Sequence, residues 1–90
     1  MTGLAADISL KHVTARIAKI LLQQTTPRTL PGEEGKIAQL TQQQMAAMAG
    51  TVREMAGRSI RLIEASGAIE ARRGYIVIKD MTKLTAIANL

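Results

Sequence analysis

The most restrictive feature of this sequence is a helix-start signature that occurs twice within residues 40–67, LTQQQMAAMAGTVREMAGRSIRLIEASG, with one glycine between the copies. Thr41 and Gln44 make a T-x-x-Q capping box, in which each side chain satisfies a backbone N–H at a helix start, and Leu40 and Met45 hold the hydrophobic-staple positions around it. A helix is therefore predicted from Gln42. The signature repeats at Thr51 and Glu54 as T-x-x-E, which predicts an N-cap at Thr51 and a second helix over 52–66. Gly50 falls where the first helix has to end in a left-handed conformation that is costly for residues with a Cβ, and Gly67 supplies the second stop. Two helices joined by a turn of about three residues form a helix-turn-helix at 41–66. Ala46, Ala47, Ala49 and Ala56 are small enough to let them cross closely.

On the second helix Met55, Ala56, Ile60 and Ile63 form the inward stripe, and Arg53, Glu54, Gly57, Arg58 and Arg61 gather on the remaining surface. In a helix-turn-helix the N-terminal half of the second helix enters the major groove of DNA. Arg there can donate two bonds to guanine, and Glu can accept one from the cytosine amino group. The same residues also fit an ordinary solvated face, with Glu54 and Arg58 paired at i, i+4. Their position at the head of a capped second helix favours the DNA reading.

Composition narrows the partners. Ninety residues, 47% of them apolar, make one small domain. Tyr75 is the single aromatic residue, so the stacking platforms of single-stranded nucleic-acid binders cannot be built. A net charge of +5 and a pI near 10.3 suit an anionic partner. Without cysteine there is no disulfide, thiolate metal site or iron–sulfur cluster. No apolar run approaches a membrane span, and no basic-then-apolar leader opens the chain, which points to a cytoplasmic protein without membrane contact.

Along the chain, residues 1–7 are featureless and read as a disordered or adventitious start. Leu10, Val13, Ile17, Ile20 and Leu21 then recur at helical spacing, with Lys11, Thr14, Arg16 and Lys19 elsewhere on the surface, predicting a helix over 8–23. His12 on that helix lacks the neighbours a ligand or base needs. Residues 24–35 hold Pro27 and Pro31 and read as a loop, in which Glu33 and Glu34 are solvated rather than catalytic. Ile37 and Leu40 suggest a short strand over 36–40 at a sheet edge. Residues 68–79 alternate around Arg73-Gly74 as a β-hairpin, whose tip carries Arg72 and Arg73. Such a tip fits either a wing lying on a phosphate backbone or a plain basic turn. Asp80 begins a last helix with Leu84, Ile87 and Ala88 facing inward and Met81 as a further candidate.

The matching residues Leu40-Thr41-Gln42, Ala46, Gly50-Thr51, Arg53-Glu54, Gly57-Arg58, Glu64, Gly67-Ala68-Ile69 and Arg73-Gly74, with Ile76-Val77-Ile78 and Asp80 after them, resemble the C-terminal DNA-binding domain of the Crp/Fnr family of bacterial transcription regulators. The resemblance covers nearly the whole chain. It implies a mostly α fold with a small β-sheet: a winged helix-turn-helix of three core helices, a β-hairpin wing and a short C-terminal helix, filling 1–90 as one domain. It further implies that Arg53, Glu54 and Arg58 reach base edges. Thr41, Gln42, Thr51, Val52, Gly57, Arg61, Arg73 and Gly74 are then the expected phosphate or groove contacts. Val52 stands where the family often has Ser, and Met55 where it often has Thr, so the preferred half-site should differ from the common one. Ala56 and Ser59 are smaller than the apolar residues usual there, which suggests looser packing.

The expected function is sequence-specific binding of double-stranded DNA, with no catalysis and no cofactor in this chain. The resemblance also implies a homodimer of the intact regulator, formed through segments outside these ninety residues, and RNA polymerase as a further partner. The rival reading is a winged-helix protein–protein interaction module without base-specific binding. An RNA-binding domain is disfavoured by the missing aromatics.

Overall fold

The computed structural model describes residues 2–26 and 36–90, with side chains for 10–25 and 36–90. Its elements, in chain order, are α1 (Thr2–Gln23), β1 (Thr25–Thr26), β2 (Lys36–Ala38), α2 (Gln42–Ala49), α3 (Arg53–Ala65), β3 (Ile69–Arg72), β4 (Tyr75–Ile78) and α4 (Met81–Ala88). This is the mostly α winged helix-turn-helix the sequence predicts. The loop residues Pro27, Pro31, Glu33 and Glu34 lie outside the described residues.

α1 starts at Thr2, so residues 2–7 continue the helix expected only from residue 8. Ile17, Ile20 and Leu21 are buried against the other helices, with Val13 half-buried beside them. Thr14, expected on the surface, is buried as well, because it bonds Ser59 of α3. Ile60 and Ile63 of α3 and Leu84 and Ala88 of α4 complete the helical part of the core, whereas Met81 stays exposed. α4 is capped by Asp80, which accepts a bond from the Lys83 N–H at 3.0 Å.

The sheet has the order β1-β2-β4-β3 and is antiparallel throughout. β2 is therefore an interior strand, not the edge strand expected: Ile37 lies opposite Val77 of β4, and Thr26 of β1 lies opposite Ile37 on the other side. Thr25 and Thr26, expected in a loop, are recruited into the sheet by this pairing. β3 and β4 form the predicted hairpin, with Arg72 opposite Tyr75 and Arg73-Gly74 in the turn. Gly74 takes the left-handed conformation there, φ 84°.

The first capping box forms as expected. The Thr41 hydroxyl accepts from the Gln44 N–H at 3.1 Å, and the Gln44 side chain accepts from the Thr41 N–H at 2.8 Å. α2 ends at Gly50, φ 68° and ψ 38°, with the Thr51 N–H donating to Ala46 O at 2.9 Å and the Gly50 N–H to Ala47 O at 3.3 Å. These two bonds make a Schellman stop. The second box does not form. Thr51 is consumed in closing α2, so the extended residue that precedes α3 is Val52, which has no side-chain cap bond. The second helix of the pair is accordingly Arg53–Ala65 rather than 52–66. Gly67 still marks the chain reversal after it, φ 88°. Ala46, Ala49 and Ala56 are buried at the crossing, and Ala47 is exposed.

Candidate nucleic-acid interface

The α2–α3 pair and the hairpin meet around one groove. Thr41, Gln42 and Gln43 at the head of α2, Arg53 at the head of α3, and Arg72, Arg73 and Gly74 of the hairpin line it, over the buried Met45, Ile60 and Ile76. Five of the residues expected at a DNA surface are thus brought together: Thr41, Gln42, Arg53, Arg73 and Gly74. Glu54, Arg58 and Arg61 are exposed on α3 outside the groove lining, Val52 is exposed at the α3 head, and Thr51 is half-buried in the turn. Gln43 was not expected from the sequence. Its signal is its place in the first turn of a capped helix.

Gly57 departs from its expected position. It is buried, and a Cβ built on it would lie 3.3 Å from Oε1 of Gln42 and 3.9 Å from a guanidinium nitrogen of Arg61. Its missing side chain is what lets the Gln42 amide lie over the middle of α3, a contact that no reading of α3 alone contains.

The electrostatics favour an anion. Among the described residues Arg53, Arg58, Arg61 and Arg73 form no ion pair, and the i, i+4 pair of Glu54 with Arg58 is not closed within 4.0 Å. Their guanidinium groups keep their donors available for bidentate recognition. Arg72 is differently placed: it pairs with Glu70 of its own strand, which Lys79 also approaches at 3.3 Å. The Arg72 bond first, and the Lys79 bond second, hold the Glu70 carboxyl below its ordinary pKa. At the α2 head the Thr41 hydroxyl accepts from Gln44, so its own proton remains free to donate. The N–H groups of Gln42 and Gln43 lie in the first turn, where no intrahelical acceptor exists.

The hairpin is tied back to α3 by Glu64, whose Oε2 accepts from the Ala71 N–H at 2.9 Å. Lys83 of α4 donates to Ser66 O at 3.2 Å, and the Ser66 hydroxyl donates to Ile63 O at 2.6 Å, which together close the end of α3. Among the described residues there is no group of three or more metal-ligating side chains, and no helix is long and apolar enough to cross a membrane.

A model of the Crp-like helix-turn-helix domain matches residues 15–87. No curated protein matches the chain. Among solved structures, the catabolite activator protein of Thermus thermophilus is similar at 26% identity and a TM-score of 0.77, over 98% of this chain and 39% of that one. A Crp/Fnr family transcriptional regulator, also from Thermus thermophilus, matches at 26% identity and a TM-score of 0.75, over 99% of this chain and 50% of that one. The c-di-GMP responsive global regulator CLP of Xanthomonas campestris is 31% identical with a TM-score of 0.64, over 73% of this chain and 32% of that one. The chain thus spans half or less of the length of these structures.

Proposed function

Because the chain belongs to the Crp-like helix-turn-helix domain family, we propose that it is the DNA-binding domain of a Crp/Fnr-type transcription regulator, one that recognises double-stranded DNA by sequence. The head of α3 enters the major groove, where Arg53 and Arg58 donate to guanine edges and Glu54 accepts from cytosine. Thr41, Gln42 and the N–H groups of the α2 head bind phosphate on one side, and Arg73-Gly74 binds it on the other. Thr51, Val52 and Arg61 flank the contact, and Gly57 serves it indirectly by seating Gln42. The observation that carries this reading is the single groove shared by the α2 head, Arg53 and the hairpin turn, with the α3 arginines beside it unpaired among the described residues.

In the intact regulator we place this domain as residues 1–90, in a cytoplasmic homodimer that engages two half-sites and meets RNA polymerase. It has no catalytic role. A single copy making about four or five phosphate contacts binds weakly and with a steep salt dependence.

Selection of bound duplexes from a random double-stranded pool at low salt tests the reading. A half-site with fixed G·C pairs is the expected result. Arg58→Ala then relaxes base preference by about 1–3 kcal/mol, whereas Arg73→Ala weakens all sequences alike and lowers the salt slope by about one. Binding without any enriched sequence reduces the claim to a basic surface, and absence of binding leaves the protein-interaction reading in its place.

A further inference from the structure

Two side chains of α1 hydrogen-bond to the helix-turn-helix. Arg16 donates to Ala49 O at 3.0 Å, in the last turn of α2, where carbonyls lack intrahelical donors and a cation is favoured. Thr14 reaches the middle of α3: its Oγ1 lies 3.0 Å from Ser59 Oγ and 2.7 Å from Leu10 O. A carbonyl can only accept, so the single Thr14 proton goes to Leu10 O and the Ser59 hydroxyl donates to Thr14. The result is a directed relay, Ser59 to Thr14 to Leu10. Ser59 is 0% exposed and Thr14 7%, and they are the only buried polar residues among the described side chains.

Apolar packing of Ile17, Ile60 and Ile63 has no preferred direction. A buried hydroxyl bond does: it holds only near 2.5–3.0 Å and is expensive to leave unmade in a medium of low dielectric. Ser59 follows Arg58 directly in the chain, so whatever sets the rotation of Ser59 about the α3 axis also sets that of Arg58. A rotation of about 10° moves a side-chain tip about 6 Å from the axis by about 1 Å. That displacement is larger than the tolerance of a bidentate bond to guanine.

We propose that the Ser59–Thr14–Leu10 relay is a positioning element that fixes the rotation of α3 on α1 and through it the base preference of the domain. This rests on the DNA reading above. Thr14 and Ser59 touch no DNA; they act through Arg53, Glu54 and Arg58. Removing the Thr14 hydroxyl leaves Ser59 to turn toward Met55 O one turn back, a bond that tends to bend helices.

The test compares Thr14→Val, Ser59→Ala, their double variant and Thr14→Ser in the full chain. Each is measured for its thermal midpoint, its salt slope, and its affinity for the selected half-site and for a scrambled duplex at one salt concentration. The double variant replaces both partners by apolar groups, so it stays folded even where a single variant does not. The specific-to-scrambled ratio should fall about tenfold in Thr14→Val and in the double variant, the scale of one lost bidentate contact. The salt slope should not change, and Thr14→Ser, which keeps the relay, should retain the wild-type ratio. An unchanged ratio in the folded double variant overturns the proposal, as does an equal loss on both duplexes. A wild-type chain that prefers no duplex overturns the DNA reading itself, and this inference with it.

Discussion

The heads of α2 and α3 lie close together in the chain and are built in opposite ways. α2 is closed by its own sequence: Thr41 and Gln44 exchange two hydrogen bonds, and Leu40 and Met45 are both buried beneath them. α3 begins at Arg53, preceded by Val52, an apolar residue 66% exposed whose side chain caps nothing. Its position depends on what surrounds it: the Schellman stop of α2, Arg16 on Ala49 O, and the relay from Ser59 through Thr14 to Leu10. The α2 box satisfies the N–H groups of Thr41 and Gln44 and leaves those of Gln42 and Gln43 open. The α3 head has no side-chain cap at all, and Arg53 stands beside its open N–H groups.

This contrast can be broken most severely at the turn between the two heads. Gly50→Ala has space, since its Cβ would lie 3.8 Å from an Arg16 nitrogen, but the backbone there has φ 68°. Stability in chemical denaturation should drop by about 1–2 kcal/mol from strain alone. Next, Thr41→Ala should cost about 1 kcal/mol through the lost cap. Thr51→Ala should cost less than about 0.5 kcal/mol, because Thr51 caps no helix. Equal losses at the two threonines would restore the second capping box and remove the contrast. Val52→Ser sharpens it from the other side: a cap installed on α3 should raise stability by about 0.5–1 kcal/mol. It should also change the enriched half-site if the exposed valine touches a base.

The smallest effect separates both heads from the hairpin. The α2 cap uses a hydroxyl and an amide, so its strength does not follow carboxylate titration, whereas the hairpin carries Glu70 between Arg72 and Lys79. Glu70 has its pKa lowered in the fold. Its contribution is therefore full above the ordinary carboxylate pKa of 4.5 and is lost as pH falls through the lowered folded value. Protection factors of the hairpin amides, with the intrinsic pH dependence of exchange divided out, should fall modestly in acid, and Glu70→Gln should reduce that fall.

Local signals in the sequence were the ones that carried through. The Thr41 box, the left-handed glycines, the Asp80 cap and the hairpin around Arg73-Gly74 each depend on residues within a few positions of one another, and each formed. What was illegible depends on distant partners. Thr14 reads as a polar surface position until Ser59, forty-five residues on, is placed against it. Gly57 reads as exposed until Gln42 arrives over it from another helix, and the residues of β2 cannot show that β1 lies on their far side. Thr51 failed for a different reason: one residue had two eligible roles, and the stop of α2 took precedence over the start of α3. Of the candidate residues, the exposed head of α3 and the hairpin turn were legible as positions, while their union in one groove with Gln43 needed the fold.

The position of β3 at the end of the sheet has a consequence for solubility. An outermost strand offers unpaired backbone groups that can template the addition of a strand from another molecule. Here the outward donor of Ala71 is already occupied by the Glu64 carboxylate. Glu70 and Arg72 place charge along the same strand. A chain that lost Glu64 would leave the Ala71 N–H open toward a second copy, with the charges of Glu70 and Arg72 as the remaining guard of that border.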